Sequence, residues 1–329
     1  MNEKYAEIVQ QYGVDSTYIR KGRSGWICEA GKNVYLLKEY QGTVKRLEFE
    51  NQVLEQIRQA GILRVDGYIP TSQGELLAQG DDGCRYVMKE WFLDRECSLK
   101  EPREILEAVR AIAKLHRLFR EIPLEEDWNL GSIAVESIDR ELERHNRELK
   151  RARNYIRGKR KKTQFELCVI GNFQMFYEQA EKALEGLKKL EEECGGSKRY
   201  LCHGDLNHHH VLMGNSPIAI IEYNKMHLGN QMTDLYHFVR KVMEKQNWDQ
   251  KLGMEMLEAY HQILALGKTE REYLYYLFLY PEKYWKQINF YFNTNKAWIP
   301  DRNVEKLCSL EEQMEVRKEF LKKIQYSEK

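Results

Sequence analysis

The triplet His203-Gly204-Asp205 is the sharpest chemical signal in this chain, because two further groups able to bind a metal stand at fixed distances beyond it. His210 stands five positions past the aspartate, and Glu222 closes the apolar run Ala219-Ile220-Ile221. A loop aspartate can accept the proton of an attacking hydroxyl. A carboxylate and a second side chain on adjacent strands can hold Mg²⁺ against a row of phosphates, because the ion must touch both sides of one triphosphate. Asn224, two residues past Glu222, would share its side of a strand and could coordinate instead.

Other groups carry weaker signals. A phosphate-covering loop needs glycines so that backbone N–H groups can approach the ligand. Gly22-Arg23-Ser24-Gly25 is the one candidate, and it lacks the G-x-G-x-x-G pattern. His208, His209 and His210 form a run, but successive strand residues face opposite ways, so a loop without metal is the simpler reading. Cys202, in an apolar strand, reads as a small buried residue rather than a nucleophile. The basic stretch from Lys150 to Lys162 could bind a polyanion, although a solvated helix face also accounts for it.

The elements that must position these groups change character along the chain. Between Ser16 and Tyr40, apolar and polar residues alternate around turns near 22–25 and 31–33, which predicts three strands. Helical spacing follows over 44–59, with Leu47, Val53, Leu54 and Ile57 on one side. A strand pair at 75–79 and 85–91 is joined by Asp81-Asp82-Gly83. From Arg103 onward helical periodicity dominates, broken by an island at 199–224 whose last two strands meet at Gly214-Asn215-Ser216. The expected fold class is therefore α+β, with a small antiparallel-sheet lobe over 1–91 and a mainly helical lobe over 92–329.

Composition sets the setting. The 329 residues, 42% hydrophobic, can bury a sizeable core, and 52 basic against 51 acidic residues leave a net charge of +1. That balance makes no case for nucleic acid or an anionic membrane as partner. Seven cysteines at scattered positions, with no C-x-x-C pair, read as reduced cytosolic thiols. The start MNEKYAEIVQQYG lacks the apolar core of a signal peptide, and no run approaches the ~18 apolar residues of a membrane span.

Taken together, these motifs resemble the aminoglycoside phosphotransferase and choline kinase superfamily, whose fold is bilobal and protein-kinase-like. Within it they are similar to the CotS-type spore coat proteins of endospore-forming bacteria. The resemblance runs through Tyr35-Leu36-Leu37-Lys38, Tyr86-Val87-Met88-Lys89-Glu90-Trp91, Leu115-His116, Arg153-Asn154-Tyr155-Ile156 and the His203 triplet. It continues in Asp234-Leu235-Tyr236-His237-Phe238-Val239-Arg240-Lys241. Tyr280-Pro281-Glu282-Lys283-Tyr284-Trp285 and Lys296-Ala297-Trp298-Ile299 point to the coat family.

The resemblance implies roles. Lys38 would meet the α- and β-phosphates of ATP, and Glu50 would orient it by ion pairing. The backbone from Met88 through Glu90 to Trp91 would meet adenine, with Trp91 equally readable as core. Asp205 would be the catalytic base, His203 a brace for its loop, and Asp234 a helix-start acceptor for that loop, which an N-cap alone would also explain. A small hydroxylated molecule would be the acceptor.

Two departures bear on activity. His210 stands where active members carry asparagine, and Glu222 where they carry the metal-binding aspartate. Mg²⁺ favours hard oxygen ligands in tight octahedral geometry, which an imidazole and a carboxylate one methylene longer serve less well. The expectation is a coat-associated protein, made in the mother-cell cytoplasm, with other coat proteins as partners and weak or no transfer. The alternatives are an ATP-dependent small-molecule phosphotransferase and a nucleotide-binding regulator without transfer.

Overall fold

The computed structural model describes residues 2–125, 128, 133–193, 199–294 and 301–326. The 296–299 motif and Cys194 lie outside them. By packing, the chain divides into two compact units, Met1–Ile133 with Leu201–His227, and Ala134–Tyr200 with Leu228–Lys329. The island around Asp205 thus packs with the first unit.

In that unit, α1 (Asn2–Gln11) leads into β1 (Tyr18–Lys21), β2 (Trp26–Ala30) and β3 (Asn33–Glu39), an antiparallel meander with turns where the glycines predict them. After α2 (Val44–Ala60) come the short strands β4 (Arg64–Val65), β5 (Tyr68–Ile69) and β6 (Ala78–Gln79), then β7 (Arg85–Glu90). β7 lies antiparallel to β3, β5 and β6. Alternation sorts the side chains: Cys28, Leu37, Tyr86 and Met88 pack with Ile8, Val9 and Tyr12 of the N-terminal segment. Lys38 pairs in register with Val87, and Leu36 with Lys89, so both lysines lie on the opposite face.

α2 is a strongly signalled helix. Thr43 Oγ1 accepts from the N–H of Arg46 at its start, Gly61 closes it in the left-handed region, and Leu47, Phe49, Val53, Leu54 and Ile57 are buried. The island supplies β9 (Tyr200–Cys202) and the hairpin β10 (Val211–Met213) and β11 (Ala219–Ile220). The hairpin is flanked by β8 (Arg95–Glu96), antiparallel to β10, and by β4, parallel to β11. β4, β5 and β8 have two residues each, too few to show alternation in the sequence. α3 (Pro102–Glu121), with proline in its first turn, buries Ile105, Ile112, Leu115 and Phe119.

The second unit is mainly helical: α4 (Ile138–Gly158), α5 (Gln164–Glu193), α6 (Gln231–Lys245), α7 (Gln250–His261), α8 (Lys268–Leu279), α9 (Glu282–Asn293), α10 (Asp301–Glu312) and α11 (Met314–Tyr326). Gly186 on α5 is a close-approach site: a Cβ there would stand 2.1 Å from the ring of Tyr276 on α8. Arg317 closes the end of α8, donating to the carbonyls of Phe278, Leu279 and Tyr280. The 234–241 and 280–285 motifs meet here. Glu282 lies 3.6 Å from Arg240, 2.5 Å from Lys286 and 3.3 Å from the donating Tyr236 hydroxyl. Trp285 stacks on His145 at 3.4 Å and donates to Glu148, while Tyr280 donates to Asn146. In part of the basic stretch Lys150 faces Glu181, Lys159 binds Glu166 and Arg153 lies over Phe173.

Candidate active site

β11 ends at Ile220, and the chain turns at Glu222 into a 3₁₀ turn, Tyr223–Lys225. Glu222 has φ 69° and ψ 53°, a left-handed conformation that costs a non-glycine residue about 1–2 kcal/mol. Its neighbours hold it there. Tyr223 is fully buried, its ring edge-on to Phe119 and 4.6 Å from His203, and the N–H of Glu222 donates to Asp66 Oδ2 at 3.1 Å.

The Glu222 side chain is buried too, with Oε2 2.7 Å from Lys38 Nζ. Burial pushes its pKa up, but Lys38 outweighs that and holds it below the usual range, helped by the Ser24 hydroxyl. Oε1 of Glu222 and Oδ1 of Asp66 are buried without a hydrogen-bond partner among the described residues. Asp66 is itself paired with buried Lys89 at 2.6 Å, yet burial dominates and raises its pKa.

Lys38 is therefore not paired with Glu50, which corrects the expectation from sequence. Glu50 is buried and already satisfied, accepting from the Tyr68 hydroxyl at 2.6 Å and from Arg46 Nε at 2.5 Å. Arg46 goes on to donate to the Met226 carbonyl, tying α2 to the segment after Glu222. Asn224 needs the same kind of correction. The strand has ended before it, so alternation no longer applies; its side chain sits in the 3₁₀ turn and the residue is exposed.

The loop bearing Asp205 is closely built. Gly204 has φ +82°, and a Cβ there would stand 2.2 Å from the Lys225 carbonyl. His203 Nε2 lies 3.0 Å from the Ile221 carbonyl, so it carries the proton, and Nδ1 accepts from the N–H of Asp205. His210 Nδ1 lies 2.7 Å from the Asp205 carbonyl, which can only accept, so this histidine also donates to the loop. Asn207 Nδ2 donates to the same carbonyl at 2.9 Å. The Asp205 carboxylate lies 2.8 Å from Lys225 Nζ; burial pushes its pKa up and Lys225 more than reverses that.

Residues 208–210 lie in a turn rather than a strand; the rings of His208 and His209 lie 3.8 Å apart, while His210 turns to the Asp205 carbonyl. His209 Nδ1 is 2.5 Å from Glu96, which also pairs with Arg23 of the β1–β2 turn at 2.8 Å. In the segment expected to meet adenine, Met88 is fully buried. The N–H of Glu90 donates to Gly67 and that of Trp91 to Val34, so neither amide is open to a base. Trp91, partly buried, packs with Phe92 against Leu212, Ala219 and Ile221. Asp234, in the second unit, is buried in the first turn of α6, whose N-cap is Asn230.

The donor set does not fit Mg²⁺ well. Glu222 has one oxygen on Lys38, His210 turns Nδ1 to a carbonyl, and Asn224 is exposed. No group of three or more His, Cys, Asp or Glu able to hold a metal occurs among the described residues. The open buried carboxylate oxygens are Oε1 of Glu222 and Oδ1 of Asp66, and each carboxylate is already neutralised by its own lysine, short of the hard oxygen set an octahedral ion prefers.

Known proteins share this architecture. The model of the phosphotransferase enzyme family matches residues 16–275. The chain belongs to that family. No curated protein sequence matches it. The crystal structure of an aminoglycoside phosphotransferase from Alicyclobacillus acidocaldarius is similar at TM-score 0.84 and 16% identity, over 97% of this chain and 94% of that one. Spectinomycin phosphotransferase in complex with ADP and its antibiotic is similar at TM-score 0.66 and 15% identity, over 97% and 98%. A microcompartment-associated aminopropanol kinase is similar at 0.59 and 15%, over 99% of each chain. The chain thus has the kinase-like α+β fold of that family.

Sequence reasoning missed Asp66, Lys89, Arg46, Asn207 and Lys225. A signal existed for two of them: Lys89 interrupts the apolar Tyr86-Val87-Met88 strand, and Asp66 stands between Val65 and Gly67. A charge inside an apolar run asks for a buried partner. Lys225 carried no such mark.

Proposed function

We propose that this phosphotransferase-family protein binds the phosphates of ATP with little help from a divalent cation, transfers phosphate weakly or not at all, and serves in the spore coat with other coat proteins as partners. One observation carries the catalytic part. Each key carboxylate already has its own lysine, Lys38 on Glu222 at 2.7 Å and Lys225 on Asp205 at 2.8 Å. A site neutralised in this way has little net negative charge left to recruit Mg²⁺. The same lysines can turn to phosphate oxygens as point charges. The amides of Glu90 and Trp91 are committed, so adenine would be met further along the chain than that segment.

The coat part rests on the resemblance at 280–285, whose residues serve packing: Glu282, Trp285 and Tyr280 all bind within the second unit. Thermal shift with ATP, with and without excess Mg²⁺, tests the binding reading. A clear shift with ATP alone and little more with metal is expected; a shift only with metal overturns it.

A second reading, an ATP-dependent phosphotransferase acting on a small hydroxylated molecule, has its own support. Asp205 is held ionised and its side chain is about one-third exposed, as a base for a hydroxyl proton requires. Bound ATP would supply the phosphoryl group, Lys38 would hold its phosphates, and Asp205 would take the acceptor's proton. Turnover abolished by Asp205→Ala without loss of folding would establish it.

A further inference from the structure

Seven scattered cysteines gave no sequence spacing to read, yet two of them face each other across the second unit. Cys168 and Asn172 are one turn apart on α5, and Cys308 and Glu311 are one turn apart on α10. Asn172 Nδ2 bridges the two helices, 3.2 Å from Glu311 Oε2 and 3.9 Å from Cys168 Sγ. Cys308 stands one turn before Glu311 as Cys168 stands one turn before Asn172, so the Asn172–Glu311 bridge sets the two thiols on facing turns, near enough for Cys308 to raise the Cys168 pKa. Cys308 is exposed and Cys168 half-buried, whereas Cys28, Cys97 and Cys202 are buried.

From this juxtaposition we infer that Cys168 and Cys308 form an oxidisable pair whose disulfide staples α10 onto α5. The oxidant is a low-molecular-weight disulfide, and the step is thiol–disulfide exchange. The Cys308 thiolate, the accessible one, attacks one sulfur of the reagent, whose S–S bond breaks and releases one thiolate. Cys168, deprotonated, then attacks the Cys308 sulfur of the mixed disulfide and displaces the second thiolate. The two cysteine protons end on the two released thiols, so two protein thiols are oxidised and one small disulfide is reduced. Burial, Cys308 and Glu311 all keep Cys168 protonated, so the second step quickens as pH rises. A cross-link between residues so far apart in sequence restricts the unfolded chain strongly.

The test uses the full chain, treated with oxidised glutathione or with reductant, alkylated, digested without reduction and analysed by mass spectrometry. A peptide linking Cys168 to Cys308, lighter by two hydrogens than the separate thiols, is expected, together with a rise in Tm of about 5 °C that reductant reverses. Cys308→Ser, at an exposed position, should fold normally and lose both effects. Glutathione on either cysteine without the link, or a link from either to another cysteine, overturns the pairing. A link that leaves Tm unchanged overturns the staple.

Discussion

Lys38 Nζ lies 2.7 Å from Glu222 Oε2, while Glu50, the partner a kinase-like lysine would take from the next helix, is bound by Arg46 and Tyr68. The lysine thus answers to the hairpin rather than to α2. Lys38→Met should destabilise the protein by about 2 kcal/mol, because it leaves a buried carboxylate without its cation. It should also weaken ATP binding at least tenfold. Glu50→Gln, in contrast, should lower stability and leave ATP affinity within about threefold. Denaturant melts and calorimetric titration of both variants separate the two roles. Equal losses of affinity would return Glu50 to the site.

Lys225 should govern the charge of Asp205. Its removal takes away the interaction that holds the Asp205 pKa below the usual carboxylate range, so in Lys225→Met the group should titrate at higher pH. Carboxylate NMR of the two proteins reads this directly. The same variant should bind ATP more weakly without metal and gain a larger increment from Mg²⁺, since one negative charge is freed. An unchanged metal dependence would mean Lys225 is a surface pair of little consequence.

Much of this was legible in the sequence, and the gaps have physical causes. The meander β1–β3, α2 and the β10–β11 hairpin were readable because alternation, helical spacing and turn residues each ran long enough to show a period. The loop of Asp205 was readable because Gly204 has no tolerable replacement under the Lys225 carbonyl. The ion-pair partners were not readable. Lys38 bonds Glu222 on the hairpin while Arg46 and Tyr68 satisfy Glu50, and nothing in the sequence marked Arg46 or Tyr68 as partners of that carboxylate. Asn224 was misplaced because nothing in Ile220-Ile221-Glu222-Tyr223 announces that the strand stops and the backbone turns left-handed.

The buried cluster around Glu282 should make the second unit acid-labile. Burial pushes the Glu282 pKa up, but Arg240 and Lys286 pull it down to about 2 from an ordinary 4.5. A depressed carboxylate contributes stability that is present above pH 4.5 and lost as pH falls toward 2, here about 3 kcal/mol in full. Glu282→Gln should cost a similar amount at neutral pH and flatten the stability profile over that window. Urea melts from about pH 2 up to neutrality measure both. A variant as stable as the parent at neutral pH would show that the 280–285 motif serves something other than packing.

Restoring the metal ligands tests whether transfer was lost at this point alone. In His210→Asn with Glu222→Asp, the amide can offer an oxygen where the imidazole offers nitrogen, and aspartate tolerates the left-handed backbone of position 222 better than glutamate does. Aspartate also shortens the reach to Lys38, loosening the pair that now neutralises the site. Binding of ATP should therefore become dependent on Mg²⁺, with an added thermal shift of several degrees over ATP alone. Transfer to aminoglycosides or choline should still be slight, because a metal cannot stabilise a transition state whose acceptor hydroxyl is not held beside Asp205. The parent and the double variant belong in one assay against a broad hydroxyl library, followed by release of ADP. Turnover by the double variant but not the parent would assign the loss to the metal site; turnover by both, abolished by Asp205→Ala, would make the parent an enzyme.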